Sequence, residues 1–262
     1  MASHAEKPVT RVSDWEKDEM GYWERKYSFA SPLFPPSYRL FERERFLLRW
    51  LRNNIRGKPV IEIGCYFPHE IILLLNPSKY KYDYVGFDVA RDALRQAKKY
   101  LPDGMFVRYS AISLPFKEES FDIMLSLGVL HHLPGGTENI SQLSRYLVRK
   151  GLFALTEAVE RRTLTGTLGR LGGESSSPHE GRLNPDKLIR ACVESGKISH
   201  FGKNNSIILG LFLVPIDVFP ILQESKSYLR FIIATDQFAI KTLGRIWSLF
   251  DAGAYFLIWK KD

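Results

Sequence analysis

Two periodicities divide the chain. Between residues 13 and 56, apolar side chains recur at helical spacing. Trp15, Tyr22, Trp23 and Tyr27 form one stretch. Phe41, Phe46, Leu47, Trp50 and Leu51 form a second stripe among arginines. Pro32, Pro35 and Pro36 separate them, so two helices with a break are expected. After Pro59 the pattern changes to short apolar runs alternating with helical stretches. Strands are expected near 60–63, 84–88, 105–108, 121–126 and 151–157, with helices near 68–76, 90–100 and 138–149. That alternation predicts a parallel sheet with right-handed crossovers. A helix is predicted over 183–196, with Asn184 as N-cap and Pro185 in its first turn. A strand near 197–202 follows, and a last one over 254–259.

Two segments break the rhythm. Residues 160–183 are rich in Gly, Ser, Thr and Arg and read as a loop or lid. Residues 205–250 form an apolar, aromatic insertion. Within it, residues 207–222 are strongly apolar, but Pro215, Asp217 and Pro220 interrupt them short of a ~20-residue bilayer span. A buried cap helix is expected there, with an interfacial segment resting on lipid as the alternative.

Composition adds bounds. The chain has 262 residues, 45% of them hydrophobic, which suits one large α/β domain with insertions. Its two cysteines, Cys65 and Cys192, allow neither a disulfide framework nor a zinc spacing, and no Cys/His cluster points to a metal. The net charge of +8 is spread along the chain without a dense block and reads as a basic soluble surface. The polar N-terminus lacks an apolar signal core, so a cytoplasmic location is expected, with contact at a membrane surface as a further option.

Residues 60–88 carry the chemistry. Val60-Ile61-Glu62-Ile63-Gly64 reads as a strand ending in a turn, and Tyr84-Val85-Gly86-Phe87-Asp88 as the next strand. Asp88 lies about 25 residues beyond Gly64, close to the ~20-residue spacing of a nucleotide-ribose carboxylate. Asp88 is also a natural N-cap for a helix over 89–99. Gly135-Gly136 reads as a plain turn.

Residues 55–160 resemble class I S-adenosylmethionine-dependent methyltransferases of the small-molecule group. The resemblance rests on the segment 60–88, on Leu114-Pro115-Phe116, on the fourth strand 120–133 ending Leu130-His131-His132-Leu133, and on the fifth strand Gly151–Glu157. It implies a Rossmann-like α/β fold: a seven-stranded, mostly parallel sheet with helices on both faces. Residues 1–56 would form a helical cap, 57–203 the core, 204–252 an apolar helical insertion, and 253–262 the last core strand. The implied cofactor is S-adenosyl-L-methionine. Glu62, Gly64, Cys65 and Tyr66 would form the loop under its methionine portion. Asp88 would hold the ribose hydroxyls and Val89 would lie against adenine. Ser110, Ala111 and Ile112 would flank the adenine edge, and Leu127 and Gly128 would sit beneath the sulfonium. Tyr22 and Tyr27 are candidates for the cofactor carboxylate.

The chain departs from the family pattern at two places. Tyr66 and Pro68 stand where the second and third glycines of the loop belong, and Ser110 replaces an acidic partner of the adenine amine. Pro68 can open the next helix; Tyr66 has no such account, because glycine there permits positive φ and close backbone approach. For a base, His131, His132 and His179 are candidates beside structural roles. Glu157, ending the fifth strand, either orients a substrate hydroxyl or is a solvated turn residue. The expected activity is O-methylation of a small hydrophobic, glycan or lipid-linked acceptor. The alternative is a methyltransferase-fold protein that has lost methyl transfer and serves as a binding or scaffold protein, or catalyses another reaction in the old pocket. RNA methylation ranks below both, because no dense basic stripe or aromatic RNA-binding motif is present.

Overall fold

A computed structural model describes residues 14–28, 42–66, 83–108, 114–159, 181–204 and 254–262. Its seven strands are β1 (Val60–Ile63), β2 (Tyr84–Asp88), β3 (Met105–Arg108), β4 (Phe121–Leu127), β5 (Leu147–Ala158), β6 (Gly196–Asn204) and β7 (Ala254–Lys261). They form one sheet in the order β3-β2-β1-β4-β5-β7-β6. Strands β1 to β5 pair in parallel, and β7 runs antiparallel to both β5 and β6. The Rossmann-like, mostly parallel sheet expected from the sequence is therefore the fold.

Strand order reverses direction between β1 and β4. Such a switch point leaves a crevice at the carboxyl ends of the strands. Ile63 is level with Phe87 on β2 and Ser126 on β4, so Gly64, Asp88 and Leu127 come next on three adjacent strands. Leu127 is level with Thr156, which brings Gly128 beside Glu157.

The described α-helices are α1 (Asp14–Ser28), α2 (Glu42–Asn54), α3 (Arg91–Tyr100), α4 (Asn139–Ser144) and α5 (Pro185–Ser195), with short 3-10 turns at Leu130–His132 and Gly136–Glu138. The strands are apolar on both faces, as a sheet covered on both sides requires. Ile61, Ile63, Met124, Phe153 and Leu155 join Ile140 and Leu143 of α4 and Leu188 and Cys192 of α5 in one core cluster. Val60, Tyr84, Ile123, Leu125 and Ala154 join Leu47, Trp50 and Leu51 of α2 in the other. Leu47, Trp50 and Leu51 of the arginine-flanked stripe are thus core packing. Asn184 caps α5 as expected, its side chain accepting from the N–H groups of Asp186 and Lys187.

Two boundaries differ from the sequence pattern. The helix expected over 138–149 stops at Ser144, because Leu147 already pairs with Phe121 as the start of β5. The register then slips, resuming at Ile123 with Leu152, and Lys150 takes φ 64° in the intervening bulge. The helix starting after Asp88 begins at Arg91 with Ala90 as N-cap, and no side chain caps it. The helix near 68–76, the loop 160–180 and the insertion 205–250 lie outside the described residues. Among the described residues no helix is long and apolar enough to cross a membrane, and no cluster of metal-ligating side chains occurs.

Candidate active site

The turn after β1 retains a glycine-loop backbone. Gly64 has φ 61°, and a Cβ there would lie 2.4 Å from Val129 Cγ2. Only glycine satisfies both demands. Tyr66 also has positive φ, 41°, although it carries a bulky side chain. Its N–H donates to Asp88 Oδ2 at 2.7 Å, and the N–H of Ala90 donates to Asp88 Oδ1 at 2.8 Å. Asp88 therefore ties the β1 turn to the β2 turn instead of capping α3. The Val89 N–H also faces this carboxylate. Burial raises the Asp88 carboxyl to about 6, against the opposing pull of the Ala90 and Tyr66 N–H groups. Burial, then the Asp88 charge, also raises the Tyr66 phenol, which is half-buried.

Two predicted cofactor residues lie beneath this turn and do not line it. Glu62 is buried and accepts from Tyr84 Oη at 2.6 Å. Cys65 is buried, its N–H donating to the Phe87 carbonyl at 2.7 Å. A Cβ at Gly86 would lie 2.7 Å from Cys65 Sγ, so the bare β2 backbone makes room for the thiol. Burial, with the charges of Asp88 and Glu62, pushes this thiol well above its ordinary value and keeps it neutral. Both side chains support the turn from inside.

At the end of β4 the chain turns at Gly128, φ 79°, whose N–H donates to the Thr156 carbonyl at 2.7 Å. The next turn, Leu130–His132, wraps around Glu157. Glu157 Oε1 accepts from the N–H of Val129 at 3.2 Å and of Leu130 at 3.0 Å, and Oε2 accepts from the N–H of His131 at 3.3 Å. Oε2 also lies 2.8 Å from His131 Nδ1. The Glu157 side chain is 0% exposed and that of His131 9%. Glu157 is thus neither a solvated turn residue nor a group free to meet substrate: it holds the turn and the imidazole. With Nδ1 facing a carboxylate, the neutral ring carries its proton there and leaves Nε2 as the basic atom. Among the described residues, a Cβ at Gly128 would meet nothing nearer than His131 Cε1 at 3.9 Å.

Helix α1 lies across these groups. Trp23 meets His132 edge-on, with centroids 5.1 Å apart, and the His132 ring lies 4.0 Å from that of His131. Trp23 Nε1 donates to buried Glu19 at 2.8 Å, and Tyr22 stands edge-on to Trp23. The next residue, Glu24, pairs with Arg108 Nη2 at 2.8 Å, while Arg108 Nε donates to the Val89 carbonyl at 3.0 Å.

The structure thus brings Gly64, Tyr66, Asp88, Val89, Leu127, Gly128 and His131 to one edge of the sheet. Ser110, Ala111, Ile112 and His179 lie outside the described residues, as does the side chain of Tyr27. Sequence reasoning missed Arg108 and the tether it makes. It also missed the Glu157–His131 pair, although the parallel register of β4 and β5 was a usable signal.

The site can offer a half-buried carboxylate with acceptor capacity to a vicinal diol, and an imidazole oriented by Glu157. An adenosyl cofactor is compatible with the position of Asp88 at the end of β2.

Comparison with known proteins agrees with this geometry. The profile described as "Methyltransferase domain" matches residues 61–155. The phthiotriol/phenolphthiotriol dimycocerosates methyltransferase 1 of Mycobacterium ulcerans is 30% identical over 109 residues, which is 40% of this chain and 39% of that protein. The chain therefore spans about two fifths of the curated relatives' length. The structure of geranyl diphosphate C-methyltransferase from Streptomyces coelicolor A3(2) superposes with TM-score 0.62 at 8% identity, covering 96% of this chain and 98% of the other. The [4+2]-cyclase SpnF superposes with TM-score 0.56 at 16% identity, covering 83% and 80%. Residues 61–155 thus resemble a methyltransferase domain, and the sheet order is the Rossmann-like fold shared with these solved structures.

Proposed function

We propose that the chain transfers a methyl group from S-adenosylmethionine to a hydroxyl of a hydrophobic small molecule or of a glycan- or lipid-linked acceptor. The observation that carries the hydroxyl assignment is the 2.8 Å contact of His131 Nδ1 with Glu157 Oε2. Similarity to enzymes named for dimycocerosates and for geranyl diphosphate supports an apolar acceptor. In this reading residues 57–203 with 253–262 form the catalytic core, and 1–56 and 204–252 cover it. The insertion 204–252 would roof the acceptor pocket and could rest against a membrane surface, in a cytoplasmic setting.

The cofactor, when bound, supplies a methyl group already activated on a sulfonium. The protein's work is to bind, align and deprotonate. Asp88 would accept the ribose hydroxyls, Val89 would lie against adenine, and the Gly128 turn would leave room for the reacting centre. His131 Nε2 would take the hydroxyl proton as the oxygen becomes nucleophilic, and Glu157 would stabilise the resulting imidazolium. Helix α1, through Trp23 and Glu24, would shield the crevice from water. His179 remains a second candidate for the base.

The test combines calorimetric titration of S-adenosylmethionine and S-adenosylhomocysteine with transfer of labelled methyl to a panel of apolar alcohols. The reading predicts binding of both ligands and alcohol methylation that is abolished in His131→Asn. Well-folded protein that binds neither ligand would refute it.

A second reading is favoured by Tyr66, which places a ring where a bare turn is usual. In it, the fold is kept and methyl transfer is lost. The similarity to a protein named as a [4+2]-cyclase fits that reading. Binding of S-adenosylmethionine by Tyr66→Gly, with none by the parent, would establish it.

A further inference from the structure

We propose that the side of the sheet covered by α2 is a docking surface for an anionic bilayer, with Arg49, Arg52, Lys58, Lys197 and Lys260 as its contacts. The proposal goes beyond the methyltransferase reading and borrows from it only the apolar acceptor.

The fold gathers basic residues that are scattered in sequence. Arg45, Arg49, Arg52 and Arg56 recur at spacings that keep them on one line of a helix. Leu47, Trp50 and Leu51 take the buried side of α2, and Arg49 and Arg52 are exposed on the opposite side. The sheet adds two lysines. Val60, Ile123, Leu152, Lys260 and Lys197 are level with one another, strand to strand, from β1 to β6. Val60 and Ile123 pack in the cluster under α2, so Lys260 and Lys197 stand on the α2 side of the sheet. The short link 55–59 carries the chain from α2 to Val60, which brings the end of α2 and half-buried Lys58 to this same rung.

These cations are not neutralised within the chain. Exposed Arg95, Arg145 and the partly exposed Lys261 each pair with a carboxylate, from Asp92, Glu118 and Glu119. Among the described residues, none of Arg49, Arg52, Lys58, Lys197 and Lys260 does so. Lys197 and Lys260 moreover face each other directly, an arrangement that costs stability. A lysine on edge strand β6 guards against unwanted pairing, which accounts for Lys197. Strand β7 lies inside the sheet, so Lys260 has no such role. An anionic surface laid against this side would relieve the repulsion.

A bilayer fits the arrangement better than a nucleic acid. The 13 residues of α2 extend the charge over about 20 Å. Among the described residues, the exposed large apolar side chains are Tyr100, Met105, Val193 and Phe201, none of them on α2. The helix therefore presents charge without the aromatic rings on which single-stranded nucleic acid stacks. Headgroups need no such rings: each Lys or Arg near an anionic bilayer strengthens adsorption about fivefold. An acceptor of the apolar kind proposed above also resides in such a bilayer.

The experiment cosediments the full-length protein with phosphatidylcholine vesicles, with and without about 30% phosphatidylglycerol. The parent should adsorb to the anionic vesicles alone, and more weakly as salt rises past about 0.15 M. Arg49→Glu/Arg52→Glu should adsorb about tenfold or more weakly, and the milder Arg49→Gln/Arg52→Gln about fivefold. Lys117→Glu/Lys187→Glu makes the same change in net charge at exposed sites off this surface and should lose no more than about twofold. Thermal unfolding of each variant checks that it is folded. Failure of the parent to adsorb, equal adsorption to neutral vesicles, or an equal loss in the Lys117/Lys187 variant would overturn the proposal. Binding of bulk tRNA without adsorption to vesicles would overturn it in favour of a nucleic acid. Titration of S-adenosylhomocysteine into the same samples reads the proposed function separately: a parent that binds no adenosyl ligand would remove that function and leave the adsorption result standing.

Discussion

His131 is held by Glu157 through two atoms, its ring Nδ1 at 2.8 Å and its backbone N–H at 3.3 Å, both on Oε2. One buried carboxylate thus sets the position of the residue and the tautomer of its ring. Glu157→Gln preserves shape but removes the charge and can present an N–H where an acceptor is needed. Turnover on a hydroxyl acceptor should fall by about 10²-fold or more. Stability should drop by about 1–3 kcal/mol, because the turn's N–H groups lose a charged acceptor. Initial rates and urea unfolding read the two effects separately. Unchanged turnover in a destabilised variant would reduce Glu157 to a structural anchor.

His131→Asn separates chemistry from cofactor capture. The Asp88 turn and the β4 turn are distinct elements, so S-adenosylhomocysteine affinity should stay within about twofold while kcat falls about 10²-fold or more. Equal loss of affinity and rate would show that His131 shapes the cofactor site and is not the base.

Asp88 predicts a pH dependence. Burial raises its carboxyl to about 6, above the ~3.9 of an exposed aspartate. The folded protein then holds that proton more tightly than the unfolded chain. The group's contribution to stability is greatest below about pH 4 and is lost as pH rises through about 6. Ligand binding should run the other way, since ribose hydroxyls donate to the carboxylate form. Affinity for S-adenosylhomocysteine should increase between about pH 5 and 7 and then level off. Asp88→Asn should bind weakly and show a flat profile. A parent affinity that does not change over that interval would exclude Asp88 as the acceptor.

Gly64→Ala tests the turn itself. The new Cβ would meet the Val129 side chain at 2.4 Å in a backbone region hostile to L-residues. About 2–4 kcal/mol of stability should be lost. Val129→Ala should relieve the clash but not the φ strain, so the double variant should be at least about 1 kcal/mol more stable than additivity predicts. Strict additivity in denaturant unfolding would mean that the two residues do not touch.

The sheet was legible because its strands are short apolar runs buried on both faces, and the period change after Pro59 marks where it begins. That Asp88 ends β2 could be placed from the apolar run before it. Its partners could not, because a bond from the Tyr66 N–H depends on the turn adopting positive φ against the preference of tyrosine. Glu157 was misread for a related reason. A carboxylate at a strand end looks solvated until the β4–β5 register places it under the Leu130–His132 turn. The early end of α4 came from pairing as well, since Leu147 fits a helical stripe equally well until Phe121 claims it.

Trp23 and Glu24 are consecutive residues on one turn of α1, yet they reach different parts of the crevice. Trp23 meets the histidine end, and Glu24, through Arg108 and the Val89 carbonyl, meets the end assigned to adenine. A rigid helix joined at both places cannot release one without straining the other. In the proposed function, nucleoside exchange and solvent entry to the imidazole would be mechanically one event, and a substitution that loosens either contact should make the protein leak at both.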